Sequence, residues 1–211
     1  SAITVCEVGP RDGFQNIKTF IPTARKIDIV NAMFAAGVRH IQITSFVSPR
    51  AVPQLADAAE VIAGVDRPKD AVLAALIPNL KGAERAAAAR VDAVHTVVSV
   101  SETHNLKNVN RSVDQSLSEF DAVAALMHRE GIAVEGGMAT AFGCPFEGIV
   151  PPENVARIAK YYHELGAASV SLGATTGMAT PATVKAAIQA IRAELPNMEI
   201  TLHFHNRRGV R

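Results

Sequence analysis

The sequence predicts a parallel α/β fold built from repeated βα units, and two observations carry that prediction. Short β-branched runs alternate with amphipathic helical stretches along the whole chain, and each helix can act as the crossover that begins a new parallel strand. No composition shift or Ser/Gly-rich linker interrupts the rhythm, so residues 1–211 read as a single domain. A 48% apolar and 19% charged composition supplies the core such a fold needs and leaves little room for long disorder.

The strands are read at Ile3–Val8, Val38–Thr44, Ala71–Ile77, Ala93–Val100, Ala133–Met138, Ser169–Gly173 and Glu199–His205. Three helices follow from apolar period. Val113, Leu117, Phe120, Ala124 and Met127 step by four and three, and Gly131 supplies the stop. Pro151 and Pro152 open a second helix, with Val155, Ile158, Tyr162 and Leu165 as its stripe and Gly166 behind it. The third runs from Thr180 and Pro181 through Val184, Ile188 and Ile191 to Pro196. Weaker helices follow Pro22–Thr23, Val52–Pro53 and Pro78–Asn79, the last Ala-rich with good propensity and little apolar surface. The segment after the fourth strand reads as a long loop.

Two closures fit this series. A (β/α)8 TIM barrel takes roughly 250 residues and eight strands, whereas a doubly wound sheet can stop earlier. With seven strands and a last residue at Arg211, the expectation is either an open sheet or a barrel with about seven βα units, the C-terminal unit lying outside this sequence.

Charge and composition narrow the function classes. There are 21 basic and 20 acidic side chains, a formal charge of +1, two tyrosines and no tryptophan. Arg207–Arg208 is the longest basic cluster, so neither the electrostatic footprint nor the stacking platforms of a nucleic-acid binder are present. No apolar run reaches the roughly 18 residues of a membrane span, and no charged segment followed by an apolar one opens the sequence. Cys6 and Cys144 match no zinc or disulfide spacing; a reducing, cytoplasmic location is the expectation.

Chemistry-bearing residues gather at strand ends, where active sites assemble in parallel α/β folds. His203 and His205 are i and i+2 of a strand and therefore project to one face, bringing two imidazoles toward one small cation. A hydrogen-bonded histidine pair in a polar strand end is the alternative. After the first strand come Arg11, Asp12, Gln15 and Asn16. Asp12 is a candidate oxygen ligand, and Arg11 offers a fork of donors for a carboxylate or a developing oxyanion. A turn with an internal Arg–Asp pair fits the same residues. Gly173 and Gly177 bracket Thr175 and Thr176, two hydroxyls at the end of the sixth strand. Cys144 reads as a substrate-lining thiol or, more commonly for a free cysteine, as a small buried hydrophobe. His104 is left undecided, and His40, His95, His128 and His163 receive no chemistry.

With these residues in place, the chain resembles the 3-hydroxy-3-methylglutaryl-CoA lyase family of metal-dependent barrel lyases. The blocks that carry the likeness are Val8–Asn16, Thr44–Pro49, Lys107–Asn110, Gly143–Gly148, Ser171–Gly173 and His203 with His205, in that order. The resemblance implies a TIM barrel and a Mg²⁺ or Mn²⁺ ion bound by Asp12, His203 and His205, together with an asparagine from a later segment. It implies retro-Claisen cleavage of a hydroxyacyl-CoA such as 3-hydroxy-3-methylglutaryl-CoA to acetyl-CoA and acetoacetate. Arg11 and His203 would be the catalytic side chains; Arg11, Gln15, Gln42 and Thr175 would contact the substrate. A homodimer is implied as well.

Three positions depart from the family pattern: Gln42 and Ala174 stand where it typically has acids, and Asn206 follows the second histidine where an aspartate is common. The family's lid cysteine belongs to the later segment, so Cys144 does not take its role. Two other functions compete: a Claisen-type synthase of the isopropylmalate kind, and a catalytically weakened acyl-CoA-binding homologue, suggested by Gln42 and Ala174.

Overall fold

The computed structural model describes residues 3–205, and its strands follow one another in chain order within a seven-stranded sheet. That order excludes the doubly wound alternative, whose strand sequence reverses at a switch point. Consecutive parallel strands joined by helices are instead the repeat of a (β/α) barrel. Two compact units make up the chain, one of residues 1–95 with 126–133 and the other of residues 96–125 with 134–211.

In the first unit β1 (Cys6–Glu7), β2 (His40–Ser45) and β3 (Val72–Leu76) alternate with α1 (Thr23–Ala35), α2 (Ala58–Gly64) and α3 (Leu80–Ala88). The opening residues of β4 (Ala93–Ser99) complete it. Cys6 pairs with His40, and Ala74 pairs with Ala93. Between Gln42 and Thr44 the β2–β3 register shifts, the kind of irregularity that re-aims side chains beside a site. Val30, Phe34, Ile41, Ile43, Val61 and Leu73 form the core between these strands and helices. Asn79 caps α3 by accepting from the Gly82 backbone N–H at 3.0 Å, which starts a helix whose alanines bring little apolar surface.

The second unit contains the rest of β4, α4 (Glu102–Val109), most of α5 (Val113–Glu130) and β5 (Ala133–Ala139), then α6 (Pro152–Glu164), β6 (Ser169–Ala174), α7 (Pro181–Glu194) and β7 (Glu199–Phe204). β5 pairs with β6 and β6 with β7, both parallel. The apolar stripe read on α5 is buried at Val113, Leu117, Phe120, Ala124 and Met127, and Gly131 ends the helix at φ +68°. Thr180 and Thr183 form a reciprocal capping box at the start of α7, satisfying two N–H groups that the helix itself cannot.

The strand reading shifts in one place and the helix reading in another. Pairing begins at Cys6 rather than Ile3 and ends at Glu7; Ile3 and Val5 are exposed, and the chain turns immediately after Val8. The expected long loop after β4 contains α4. Ser101 caps it by accepting from the His104 N–H at 3.1 Å, and Asn110 closes it in the left-handed conformation at φ +55°. Among the described residues no helix is long and apolar enough to cross a membrane. Asn206 and the Arg207–Arg208 pair lie outside the described residues.

Candidate active site

In the first unit the site begins with the tight turn that follows β1. Gly9–Gly13 form a single π-type helical turn, in which the Val8 carbonyl accepts from the N–H of Arg11 at 3.1 Å and of Asp12 at 2.7 Å. Pro10 suits its place because the first turn needs no N–H from it. Glu7 steadies the entry by accepting from the Gly9 N–H at 2.7 Å, and a Cβ on Gly9 would stand 2.9 Å from that same carboxylate oxygen.

The turn buries Arg11 and leaves Asp12 half-buried beside it. Arg11 Nη1 donates to Asp12 Oδ1 at 2.6 Å, so the internal Arg–Asp pair anticipated from the sequence is formed. Arg11 Nε donates a short hydrogen bond to Gln42 Oε1, reaching from β1 to β2. Burial pushes the Arg11 guanidinium below its ordinary range, while the Asp12 carboxylate works in the opposite direction. Gln15 follows in the next helical turn and is half-buried. At the end of β2, Ser45 Oγ is buried without a hydrogen-bond partner among the described residues.

In the second unit His203 lies in β7 and His205 immediately follows it. Their rings stack with centroids 4.8 Å apart and planes 14° from parallel, so the period-two reading is correct. Both are half-buried. His203 is level with Gly173 in the β6–β7 ladder, and a Cβ added to Gly173 would come within 3.3 Å of the Met138 carbonyl. Thr175 follows β6 and its hydroxyl accepts from the Thr140 N–H at 3.2 Å; Ala174 is buried.

The sequence did not reveal how the end of β4 is tied to the loop after β5. His104 Nδ1 and Ser99 Oγ share a hydrogen bond at 2.7 Å, and desolvation lowers the imidazole pKa against the opposing influence of Glu147. Glu147 Oε1 accepts from the Thr103 N–H at 2.6 Å. Its carboxyl lies below the usual range, because hydrogen bonds from the Thr103 backbone and side chain, the Ser101 hydroxyl and the Glu102 backbone together outweigh the opposing effect of burial. Cys144 is fully buried and accepts from Ser101 Oγ at 3.0 Å, which fits the buried reading of this thiol. The signal available in the sequence was the Ser101 to His104 spacing of a helix cap.

Consecutive parallel βα units with polar side chains gathered where strands end define the (β/α)-barrel enzymes. The chain belongs to the HMGL-like family, whose model matches residues 2–211. It is 41% identical over 207 residues to the hydroxymethylglutaryl-CoA lyase of Bacillus subtilis, covering 98% of this chain and 69% of that protein. The solved hydroxymethylglutaryl-CoA lyase of Pseudomonas aeruginosa superposes with a TM-score of 0.95 at 39% identity, covering 98% of this chain and 69% of that one. An HMG-CoA lyase from Acinetobacter baumannii, solved with coenzyme A and 3-methylmalate, gives 0.92 at 41% identity over 98% of this chain and 67% of that one. The chain spans 64% of the length of the mitochondrial relatives of Macaca fascicularis and Homo sapiens. These relatives are carbon–carbon lyases, so neither the synthase reading nor the non-catalytic one is favoured.

Proposed function

We propose that this chain carries a divalent-metal-dependent carbon–carbon lyase activity that cleaves 3-hydroxy-3-methylglutaryl-CoA to acetyl-CoA and acetoacetate. The observation that carries the reading is Arg11, buried and held between Gln42 and Asp12 at the end of β1, in a chain that matches a lyase family from residue 2 to residue 211. The coenzyme A bound to the Acinetobacter relative supports a thioester substrate.

The donor chemistry fits a small divalent cation. His203 and His205 present stacked, half-buried imidazoles from one strand end, and Asp12 contributes a half-buried carboxylate; imidazole with carboxylate suits Mg²⁺ or Mn²⁺. We assign these three side chains as its ligands. When bound, the cation supplies Lewis-acid polarisation of the substrate's oxygens.

Arg11 and His203 are the proposed catalytic side chains. His203, one of the proposed ligands, would orient the tertiary hydroxyl, whose proton leaves and is made good at the enolate carbon at the end of the reaction. As the carbonyl forms at the hydroxyl-bearing carbon, the carbon–carbon bond breaks and its electron pair passes to the departing acetyl-CoA carbon as an enolate. Arg11 faces the enolate oxygen with N–H groups not engaged by Gln42 or Asp12, donors set in place before charge develops. Protonation of the enolate carbon completes acetyl-CoA. Gln15, Thr175 and the Gln42 amide nitrogen are the proposed substrate contacts, and a cytoplasmic homodimer is the proposed working form.

Replacing Asp12, His203 or His205 by Ala tests the ligand assignment. Each change is expected to weaken Mn²⁺ binding by at least about tenfold in calorimetric titration and to remove most turnover, because a hard cation needs all its convergent ligands. Unchanged Mn²⁺ affinity in all three variants would refute it.

A further inference from the structure

Arg11 and Gln42 are 31 positions apart in sequence and both are buried, Arg11 at 7% and Gln42 at 3% exposure. An arginine side chain only donates hydrogen bonds, so the group that Gln42 turns toward Arg11 Nε must be its carbonyl oxygen. The guanidinium is therefore held at two of its three nitrogens, at Nε by Gln42 and at Nη1 by Asp12. Nη2 has no hydrogen-bond partner among the described residues. Two anchors on a planar group fix both its position and the direction in which the remaining N–H bonds point.

The chemistry of the two anchors differs. Asp12 brings a negative charge, whereas Gln42 brings an oxygen acceptor without one. A carboxylate at position 42 would set a second anion against Arg11 and offset the charge with which it attracts an incoming anionic oxygen. The neutral amide holds the same N–H and leaves one carboxylate facing the guanidinium. Gln42 comes from the strand whose register shifts directly after it, so the local irregularity of β2 and the reach of this side chain coincide.

Building on the lyase reading above, we propose that Gln42 is a positioning residue for Arg11: its side-chain oxygen sets the guanidinium plane so that Nη2 meets the oxyanion, and its neutrality preserves the positive charge of that fork. The substituted acid of the family pattern is then a change in the electrostatics of the site and not the loss of a part.

The test uses wild type, Gln42→Met, which keeps the buried volume and removes the acceptor, and Gln42→Glu, which restores an acceptor. Two quantities are read from each: kcat and KM for 3-hydroxy-3-methylglutaryl-CoA, and solvent exchange of the Arg11 Nε–H by ¹⁵N–¹H NMR. The Met variant is expected to lose roughly ten- to a hundredfold in kcat with a smaller rise in KM from the lost Gln42 amide contact, since a misplaced donor acts on the transition state more than on binding. Its Arg11 Nε–H should exchange rapidly. The Glu variant should recover a protected Nε–H and a kcat above that of the Met variant, yet below wild type.

A Met variant with wild-type kcat overturns the proposal, and so does one that loses kcat while Arg11 Nε–H stays protected. If the Met variant does not fold, the Glu variant decides, because a folded Glu variant with an unprotected Nε–H contradicts positioning through the acceptor. Absence of turnover in wild type would strike the lyase reading, leaving the exchange comparison to judge the Arg11–Gln42 relationship separately.

Discussion

The ring of Tyr162 occupies the space a Cβ on Gly136 would need, with Tyr162 Cγ only 2.3 Å from that position. β5 must therefore carry glycine here for α6 to lie close against it. Tyr162 is fully buried, stacks on Phe120 with centroids 6.0 Å apart, and its hydroxyl accepts from Thr96 Oγ1 at 3.1 Å. Gly136→Ala should lower the unfolding free energy by about 1–3 kcal/mol, the usual cost of forcing extra volume into a packed core. Urea unfolding of the variant measures this, and unchanged stability would mean that helix and strand separate at little cost.

Lys26 is buried to 2% exposure, and its ammonium donates to Asp57 Oδ1 at 2.6 Å and to the Gln54 carbonyl at 2.5 Å. Thr23 Oγ1 donates to the other oxygen of Asp57 at 2.8 Å. This pair ties α1 to the segment entering α2. Asp57→Ala strands a buried cation and should destabilise by about 3–5 kcal/mol, whereas Lys26→Met should cost less because the carboxylate it leaves behind is the more exposed member of the pair and keeps its hydrogen bond from Thr23. Chemical denaturation of both variants gives the comparison; equal losses would show that packing, not charge, dominates there.

Both units illustrate which features the sequence made legible. Short β-branched runs located six strands to within two residues at each end, because most of their large apolar positions are buried, Val97, Leu202 and Phe204 being exposed exceptions. The pattern fails for Ile3 and Val5, β-branched yet exposed, since composition reports propensity and pairing requires a neighbour. It also fails for α4, whose Leu106 and Val109 are exposed; caps at Ser101 and Asn110, not an apolar face, define that helix. For the candidate site, Arg11, Asp12, His203 and His205 are singled out in the sequence by their places at strand ends. The bond from Arg11 to Gln42 is not, because it depends on how β1 and β2 align, and pairing between strands leaves no mark within either one.

Tyrosine ionisation gives a test of the surface between α5 and α6. The sequence contains two tyrosines. Burial and the hydrogen bond to Asp121 push the Tyr161 phenol up to about 12, and desolvation raises Tyr162 as well. Between about pH 10, where a free phenol ionises, and pH 12 the native state holds more protons than the unfolded chain, so this contribution to stability is present below pH 10 and falls as pH rises through that window. Absorbance titration at the tyrosinate band should show no transition near pH 10 in folded wild type. Asp121→Asn should bring one phenol back toward 10; a wild-type transition at 10 would contradict the burial and bonding of Tyr161.

The most direct measurement of the central claim is product formation from 3-hydroxy-3-methylglutaryl-CoA by the purified full-length protein, with Mg²⁺ or Mn²⁺ and after chelation. The account predicts acetyl-CoA and acetoacetate in equal amounts, with turnover abolished by the chelator and restored by adding either ion. Condensation in place of cleavage, tight thioester binding without products, or cleavage indifferent to metal removal would contradict it.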